Sequence, residues 1–478
     1  MSRLIGLDIG TSGVKGVAID PHGAVLHVAE RGYPLSTPRP GWSEQDPDDW
    51  WRATAEVLDE CEADRALGIG LSGQMHGLVT LDERDRPLRP AILWNDGRTQ
   101  AECDEIEERI GRERLVELTG NRALAGFTAP KLLWLRTHEP EVYAATRSIL
   151  LPKDYVRLRL CDEHAIDVAD ASGTLLFDVA ARRWSDEVVD ALAIDPAWLP
   201  EVHESPEVAG ETHGGVPVAA GAGDQAAGAL GVGVVSEGGP ASIALGTSGV
   251  VFSAMDRYAA DPEGRLHAFC HAAPGAWHVM GVMLSAAGSL RWLRDVLDGD
   301  RGYAELIEEA ARWEPGVEGL MFAPYLAGER TPYPDPEARA AFVGLGLRHD
   351  RAALVRAVLE GVAFGLRDAL DLVVSLGGRP ATGRVSGGGG RSVLWLEIVA
   401  SILDLPLEVC RVEEGAAYGA ALLGGVGAGV WSDAHDAVAS TVHVTRTVEP
   451  RPEWVQRYAE LQPAFRRLYP ALRTVRGG

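Results

Sequence analysis

The chain is predicted to fold as an α/β protein of two duplicated lobes, and three observations carry that prediction. The pentapeptide Gly-Thr-Ser-Gly-Val occurs twice, at residues 10–14 and 246–250, near the start of each half. Each copy follows an apolar run of β type, Leu4-Ile5-Gly6-Leu7 before the first and Ala241-Ser242-Ile243-Ala244-Leu245 before the second. Further along, strand-like segments alternate with helical ones, the pattern of α/β architecture. A strand, a tight Gly-Thr-Ser-Gly turn and a returning strand make a hairpin. Its backbone N–H groups and hydroxyls can converge on an anion such as a phosphate, so two such hairpins suggest two lobes closing on one nucleotide. The copies differ where it counts: Asp8 stands two residues before the first turn, and Ala244 holds the matching place in the second. One hairpin is therefore able to approach a metal ion, while the other offers only donors.

In chain order, residues 4–9, 14–19 and 24–29 read as three strands, joined by Gly-Thr-Ser-Gly and by Pro21-His22-Gly23. Asp46 then caps a helix with Pro47 at its first position. Residues 67–71 form a strand, and Ser72-Gly73-Gln74-Met75-His76-Gly77 turns the chain into another at 78–81. A strand at 216–220 precedes Asp224, and a helix opens at Gln225. The alanine- and glycine-rich stretch 216–240, ending in Ser236-Glu237-Gly238-Gly239-Pro240, marks the domain boundary. After the repeated hairpin comes a long helical pattern at 354–364. Val385-Ser386-Gly387-Gly388-Gly389-Gly390-Arg391 reads as strand, glycine loop and helix start, and 415–421 as a small-residue helix suited to close packing near a hinge. Beyond about Val448 the tail reads as a polar helix. The expected domains are a first lobe at 1–237, a second at 238–445 and a tail at 446–478.

Composition narrows the function. The chain has 478 residues, 46% hydrophobic and 24% charged, which is ordinary for a soluble globular protein and long enough for two cores. No apolar run reaches membrane-spanning length. Met1-Ser2-Arg3 leads into a strand without a signal-peptide core, so cytoplasm is the expected location. The five cysteines, Cys61, Cys103, Cys161, Cys270 and Cys410, have no paired spacing, which disfavours zinc and disulfides. A net charge of −24 argues against nucleic acid or an anionic membrane as partner.

Seven blocks in order resemble the FGGY carbohydrate kinases, within the actin/hexokinase/Hsp70-type ATPase fold, and among them the xylulokinases. They are Gly6-Leu7-Asp8-Ile9-Gly10-Thr11-Ser12-Gly13-Val14-Lys15, Ser72-Gly73-Gln74-Met75-His76-Gly77, Trp94-Asn95-Asp96-Gly97-Arg98, Gly126-Phe127-Thr128-Ala129-Pro130-Lys131-Leu132-Leu133-Trp134, Asp170-Ala171-Ser172-Gly173-Thr174, Gly223-Asp224-Gln225-Ala226-Ala227-Gly228 and Gly328-Glu329-Arg330-Thr331-Pro332. The resemblance runs from Leu4 to about Gly425. It implies two ribonuclease-H-like lobes with an active-site cleft between them, and ATP-dependent phosphorylation of a sugar, D-xylulose, with Mg²⁺. The expected partners are the small-molecule sugar and ATP, with a homodimer left open.

The resemblance also assigns roles. Asp224 becomes the general base for the acceptor hydroxyl, in a reaction where positioning supplies much of the effect; read alone, it is equally a helix-capping aspartate. Asp8 would hold Mg²⁺ through water, with Asp224 as the second metal-facing carboxylate; read alone, Asp8 is a turn-initiating residue. Thr11 and Ser12 would meet the transferring phosphate, with Gly246 and Thr247 on the β/γ side. Gly388, Gly389 and Gly390 lie in the loop that resembles the adenosine side. Met75 and His76 match the sugar-binding pair, and Gln225 stands where many xylulokinases have Asn. Lys15 either neutralises phosphate or faces solvent, and Asp96, Arg98 and Lys153 are either ligands or ion-pair partners.

Two other readings are open to the same residues, and a third is not. The acceptor is a different sugar, such as ribulose, another ketose, gluconate or glycerol; the Met75-His76 block argues against glycerol. A non-catalytic sugar sensor calls for an added DNA-binding segment and often a lost Asp, whereas Asp224 is kept. A Rossmann dehydrogenase is rejected, because the third glycine after Gly221-Ala222-Gly223 is misplaced.

Overall fold

The computed structural model describes residues 2–476; Met1, Gly477 and Gly478, which the expected first lobe and tail include, lie outside them. The apolar run at the start becomes β1 (Arg3–Ile9), which turns back through β2 (Gly13–Ile19) to β3 (Val25–Gly32). β4 (Ala66–Gly73), β5 (Val208–Glu211), β6 (Pro217–Ala219) and the short β7 (Ala222–Gly223) complete a seven-stranded sheet. Its order is β5-β6-β4-β1-β2-β3, with β7 also paired to β4.

The second sheet holds β8 (Ala241–Leu245), β9 (Gly249–Met255), β10 (His267–Cys270), β11 (Trp277–Met283), β12 (Gly383–Ser386), β13 (Leu407–Cys410) and β14 (Val444–Val448), in the order β10-β11-β9-β8-β12-β13-β14. Both sheets share one plan. An antiparallel hairpin, β1–β2 or β8–β9, has its first strand paired in parallel with β4 or β12 on the other side. The repeated pentapeptide is therefore the visible trace of a repeated sheet. Burial on both faces explains why the inner strands read as largely apolar runs without strict alternation.

The helices that matter here are α1 (Pro47–Glu60), α2 (Thr128–His138), α3 (Pro152–Cys161), α4 (Val168–Ser172), α5 (Asp224–Gly231), α6 (Ala287–Asp298), α7 (Arg351–Ser375), α8 (Val393–Leu403), α9 (Gly415–Gly427), α10 (Pro452–Arg466) and α11 (Leu468–Val475). α1 starts as its sequence predicts, with the Asp46 carboxylate accepting from the Asp48 N–H at 3.0 Å and Pro47 following. The helix expected at Arg391 begins later. Residues 388–391 form a 3₁₀ turn, and Ser392 caps α8 by accepting from the Trp395 N–H at 3.2 Å.

The small-residue helix has a larger role than its sequence predicts. α9 crosses the first sheet and lies against α5, although in the chain it falls between β13 and β14 of the second sheet. A Cβ at Gly70 would stand 1.8 Å from the Ala420 carbonyl oxygen, and one at Gly419 would stand 1.8 Å from that of Ala227. Only backbone fits in either gap. The tail is also not a single polar helix. After β14 it forms α10 and α11, anchored by buried Phe465 and by the Tyr458 hydroxyl. That hydroxyl donates to Glu360 at 2.9 Å and accepts from Arg356 at 2.8 Å. Among the described residues no helix is long and apolar enough to cross a membrane, and the five cysteines are buried and free.

Candidate active site

The two aspartates come together because three parallel strands end side by side. Asp8 on β1 is in register with Ser72 on β4, and Ser72 with Ala222 on β7. At the usual strand spacing this puts Asp8 about 10 Å from Ala222 across the sheet, and Asp224 follows two residues later at the start of α5. In open parallel sheets the carboxyl ends of strands are where ligands gather. Burial pushes the Asp8 carboxyl up to about 6, against the Ser72 hydroxyl, which donates to it at 3.3 Å, and the Lys15 charge. Burial and then the Asp8 charge push Asp224 up to about 7, with the backbone and side-chain amides of Gln225 pulling the other way. Two carboxylates with so little compensation suit a hard cation held by oxygen, which is the chemistry of Mg²⁺.

The first hairpin is braced from beneath. The Gly10 N–H donates to the Gly13 carbonyl at 3.0 Å. The Thr11 hydroxyl accepts from the Trp94 indole at 2.9 Å, and the Thr11 carbonyl accepts from Gln45 at 2.7 Å. Gln74 joins the same network through Gln45 and the Gly10 carbonyl. Ser12 is exposed at the tip. Lys15 is committed elsewhere, to Glu30 at 3.2 Å and to Glu414 just before α9.

Met75 and His76 lie at the turn after β4, beside the aspartates. A Cβ on Gly223 would meet Met75 Cγ at 2.7 Å, so the methionine packs directly under the start of the Asp224 segment. His76 has φ +69°. Its carbonyl accepts from the Thr128 hydroxyl at 3.1 Å and from Lys131 Nζ at 2.8 Å. Its Nδ1 lies 2.6 Å from the Gly173 carbonyl. A carbonyl can only accept, so Nδ1 carries the proton and Nε2 is the free acceptor. Burial holds this ring neutral, down to about 3, with the charges of Lys131 and Arg330 acting in the same direction.

On the second lobe the other hairpin faces a separate cleft of about 740 Å³. Gly246, Thr247, Gly388 and Gly389 line it together, with Arg391 and Ser392 at one wall and Tyr303 at another. Gly390 is not among the lining residues; it turns toward Val385, and its N–H donates to the Gly387 carbonyl at 3.1 Å. The hairpin backbone is fixed by the start of α6, whose Ala286 and Gly288 N–H groups donate to the Thr247 carbonyl at 2.9 and 3.1 Å.

Three residues whose sequence reading was open are ion-pair partners. Arg98 holds Asp96 with two hydrogen bonds, at 2.9 and 2.7 Å, and stacks 3.6 Å over Trp42. Lys153, fully buried on α3, sits among Asp154 at 2.5 Å, Asp167 at 2.6 Å and Asp170 at 3.0 Å. Those three carboxylates form a cluster of metal-ligand shape, and the ammonium fills its centre. Residues the sequence reading did not single out are Gln45, Phe127, Lys131, His267 and Arg330. Three of them lie in blocks already quoted. His267 and Gln45 carried no signal, because a lone polar residue on a strand or at its edge reads as surface.

Comparison with known proteins shows the family. Residues 3–231 match the FGGY family of carbohydrate kinases, N-terminal domain, and residues 241–428 match the C-terminal domain. The chain is 41% identical over 485 residues to a xylulose kinase of Escherichia coli K12, with 98% of this chain and 99% of that protein covered. A xylulose kinase of Lactococcus lactis is 39% identical, with 98% and 97% covered. The crystal structure of xylulose kinase from Rhodospirillum rubrum superposes with a TM-score of 0.92 at 31% identity, covering 99% of each chain.

Proposed function

The chain belongs to the FGGY family of carbohydrate kinases, and from that premise we propose that it transfers the γ-phosphoryl group of ATP to O5 of D-xylulose. The observation that carries this reading is the register Asp8–Ser72–Ala222, which sets Asp224 beside Met75 and His76 with its carboxyl raised to about 7. Names of the full-length relatives supply the sugar.

In this mechanism Asp224 accepts the proton of the sugar hydroxyl as that oxygen attacks phosphorus in line. A base with its carboxyl near 7 is about half ionised at neutral pH, more so above it, and is basic enough to take the proton late. Asp8, with Asp224 facing it, would hold Mg²⁺ mainly through water, and the ion would neutralise charge on the phosphates. The backbone amides and hydroxyls of Thr11 and Ser12 would meet the transferring group, and those of Gly246 and Thr247 the β/γ side. Gly388, Gly389 and Gly390 would let the nucleotide approach the loop before α8. His76 would accept from a sugar hydroxyl through Nε2, Met75 would pack on the carbon skeleton, and Gln225 would orient the Asp224 carboxylate. Closure of the lobes would expel water from the acceptor.

The test is ADP release with Mg²⁺-ATP against D-xylulose, D-ribulose, L-ribulose, gluconate and glycerol, for the native protein and Asp224→Asn. The expected result is turnover highest with D-xylulose and reduced by at least about 100-fold in the variant. Turnover highest with another sugar keeps the mechanism and replaces the substrate. Full activity in the variant removes Asp224 from the role of base.

A further inference from the structure

A cluster of aromatic rings beside the proposed sugar site is built from both halves of the chain. His76 and Phe127 come from the first, with ring centroids 4.5 Å apart. His267 and Phe269 come from β10 in the second, 5.8 Å apart and stacked. Phe127 bridges the pairs, 6.0 Å from His267 and 6.3 Å from Phe269. His267 repeats the logic of His76. Its Nδ1 lies 2.7 Å from Asn121 Oδ1, while Asn121 Nδ2 donates to the Thr119 and Ala268 carbonyls. That fixes the amide's orientation, so His267 Nδ1 carries the proton and Nε2 is an acceptor. Burial keeps this ring neutral too, down to about 3. Two neutral acceptors can take sugar hydroxyl protons, but they have nothing to give to a carbonyl oxygen.

Arg330 is the donor that would complete the proposed site. Arg330 lies in a turn held rigidly against the end of β11. The Thr331 N–H donates to the Val282 carbonyl at 3.0 Å, and the Val282 N–H donates to the Thr331 hydroxyl at 3.1 Å. The same hydroxyl donates to the Arg265 carbonyl at 2.7 Å, two residues before His267. On the other side, Glu329 Oε1 accepts from the N–H groups of Leu284 at 3.1 Å and Arg330 at 2.8 Å. The Arg330 guanidinium, in contrast, makes no hydrogen bond, ion pair or ring contact with any described residue, although the side chain is partly buried. Most arginines of this chain have a carboxylate partner, as Arg98 has Asp96 and Arg265 has Asp261. Its neighbour Glu329 acts on it only through charge: burial pushes that carboxyl up to about 8, and its Oε1 accepts from two backbone amides. The Arg330 charge is felt at His76 and His267, whereas burial and Asp8 act on Asp224. Together with the tie from Thr331 to the Arg265 carbonyl, two residues before His267, this sets Arg330 on the ring-cluster side of the proposed sugar site.

We propose that Arg330 is a substrate-binding residue that recognises the open-chain ketone of the sugar, donating its planar fork to the C2 carbonyl and C1 hydroxyl oxygens. The inference rests on the proposed transfer to O5 of a 2-ketopentose. Such a sugar closes its ring by adding O5 to C2. An O5 free to attack phosphorus is thus found only in the open chain, where the C2 carbonyl is free as well. A pocket that puts Asp224 on O5 must meet a bare carbonyl at the far end, and a fixed fork of N–H donors matches two adjacent oxygens better than a point charge does.

The test compares D-xylulose with the two pentitols made by reducing its carbonyl, for the native protein, Arg330→Met and Arg330→Lys, with ADP affinity by titration as the check on folding. The native protein is expected to favour the ketose by about 100-fold or more in kcat/KM, as a site built to bond a polar group discriminates against its absence. Arg330→Met is expected to lose most of that preference, mainly through a KM for D-xylulose raised at least tenfold, with ADP affinity unchanged; Arg330→Lys, folded by the same criterion, recovers part of it. A native protein with no preference for the ketose overturns the proposed substrate together with this inference. A native protein with the preference and an Arg330→Met variant that keeps it, or an Arg330→Lys variant that keeps it in full, overturns this inference alone.

Discussion

Asp8 and Asp224 flank β4 from opposite sides, and the negative charge of the first raises the carboxyl of the second after burial has already done so. The arrangement has a consequence for pH. With Asp224 at about 7 in the free protein, kcat/KM for the sugar is expected to fall roughly tenfold per unit as pH drops below 7, because the protonated acid cannot accept the hydroxyl proton. Saturating Mg²⁺ places positive charge beside Asp224, so the acid limb should move to lower pH as the metal is raised. The measurement is kcat/KM for D-xylulose from pH 5.5 to 9 at two Mg²⁺ concentrations. A profile flat down to pH 5.5 at low metal removes Asp224 from the role of base.

The same carboxylate costs stability. In the unfolded chain an aspartate titrates near 3.9, and in the folded protein this one titrates at about 7. Between those values the folded state holds a proton that the unfolded state has released, so stability falls as pH rises through the window and the full cost is present above it. Asp224→Asn has no such cost. The variant is expected to be more stable than the native protein at pH 8 by about 2 kcal/mol, roughly half of the full linkage value because the carboxylate still meets solvent. The gain should shrink toward zero near pH 4. Denaturant midpoints of both proteins at pH 5 and 8 check it, and a gain independent of pH contradicts the assignment. Stability gained by removing a functional group is the usual trade at an active site.

Much of this was legible in the chain. The repeated Gly-Thr-Ser-Gly-Val led to two sheets of one plan, and the block around Asp224 led to the helix it opens, because strand–turn–helix signals are local. What the sequence could not carry was long-range. Nothing near residue 415 says that α9 leaves the second sheet to lie on the first, since a run of small residues is compatible with any close-packed neighbour. Arg330 and Glu329 stood in a recognised block, yet the Arg330 side chain has no hydrogen bond or ion pair with a described residue while Glu329 accepts from two backbone amides, and only tertiary structure separates those fates. Lys153, Asp96 and Arg98 read as ligands or ion pairs alike, because sequence proximity does not say which side chains turn toward each other; the packing pairs Arg98 with Asp96 and closes Asp154, Asp167 and Asp170 around Lys153.

The seam between α9 and α5 should be sensitive to a single methyl group. A Cβ at Gly419 would lie 1.8 Å from the Ala227 carbonyl oxygen, and Ala227 is on the helix that begins with Asp224. Neither backbone can yield without moving its helix. Gly419→Ala is expected to destabilise the protein by about 1–3 kcal/mol, and also to lower kcat, since any shift of α5 carries Asp224 with it and catalysis is steep in distance. Ala420→Gly, one residue away, adds no atom and serves as the control. A Gly419→Ala protein of native stability and native kcat would mean that the seam slides freely.

The buried cluster on α3 separates a structural from a catalytic lysine. Lys153 is fully buried among Asp154, Asp167 and Asp170. Asp154 is shared with Arg157, and Asp167 also caps α4 through the N–H groups of Ala169 and Asp170. Burial pushes the ammonium toward neutrality, and the three carboxylates more than offset it. Burial likewise raises Asp167 and Asp170, against the pull of Lys153. Removing the lysine leaves buried carboxylates facing one another, a loss of about 3–5 kcal/mol. Part of that loss is recovered at low pH, where the acids can protonate. Lys153→Met is therefore expected to unfold at markedly lower denaturant at pH 8, with the deficit narrowing near pH 5. Asp170 also lies against Gly223, with Oδ1 2.9 Å from where a Cβ would stand, so whatever protein remains folded should have a reduced kcat. A lysine that bound the sugar would instead give a variant of native stability with a raised KM, and that pair of results would return Lys153 to the substrate site.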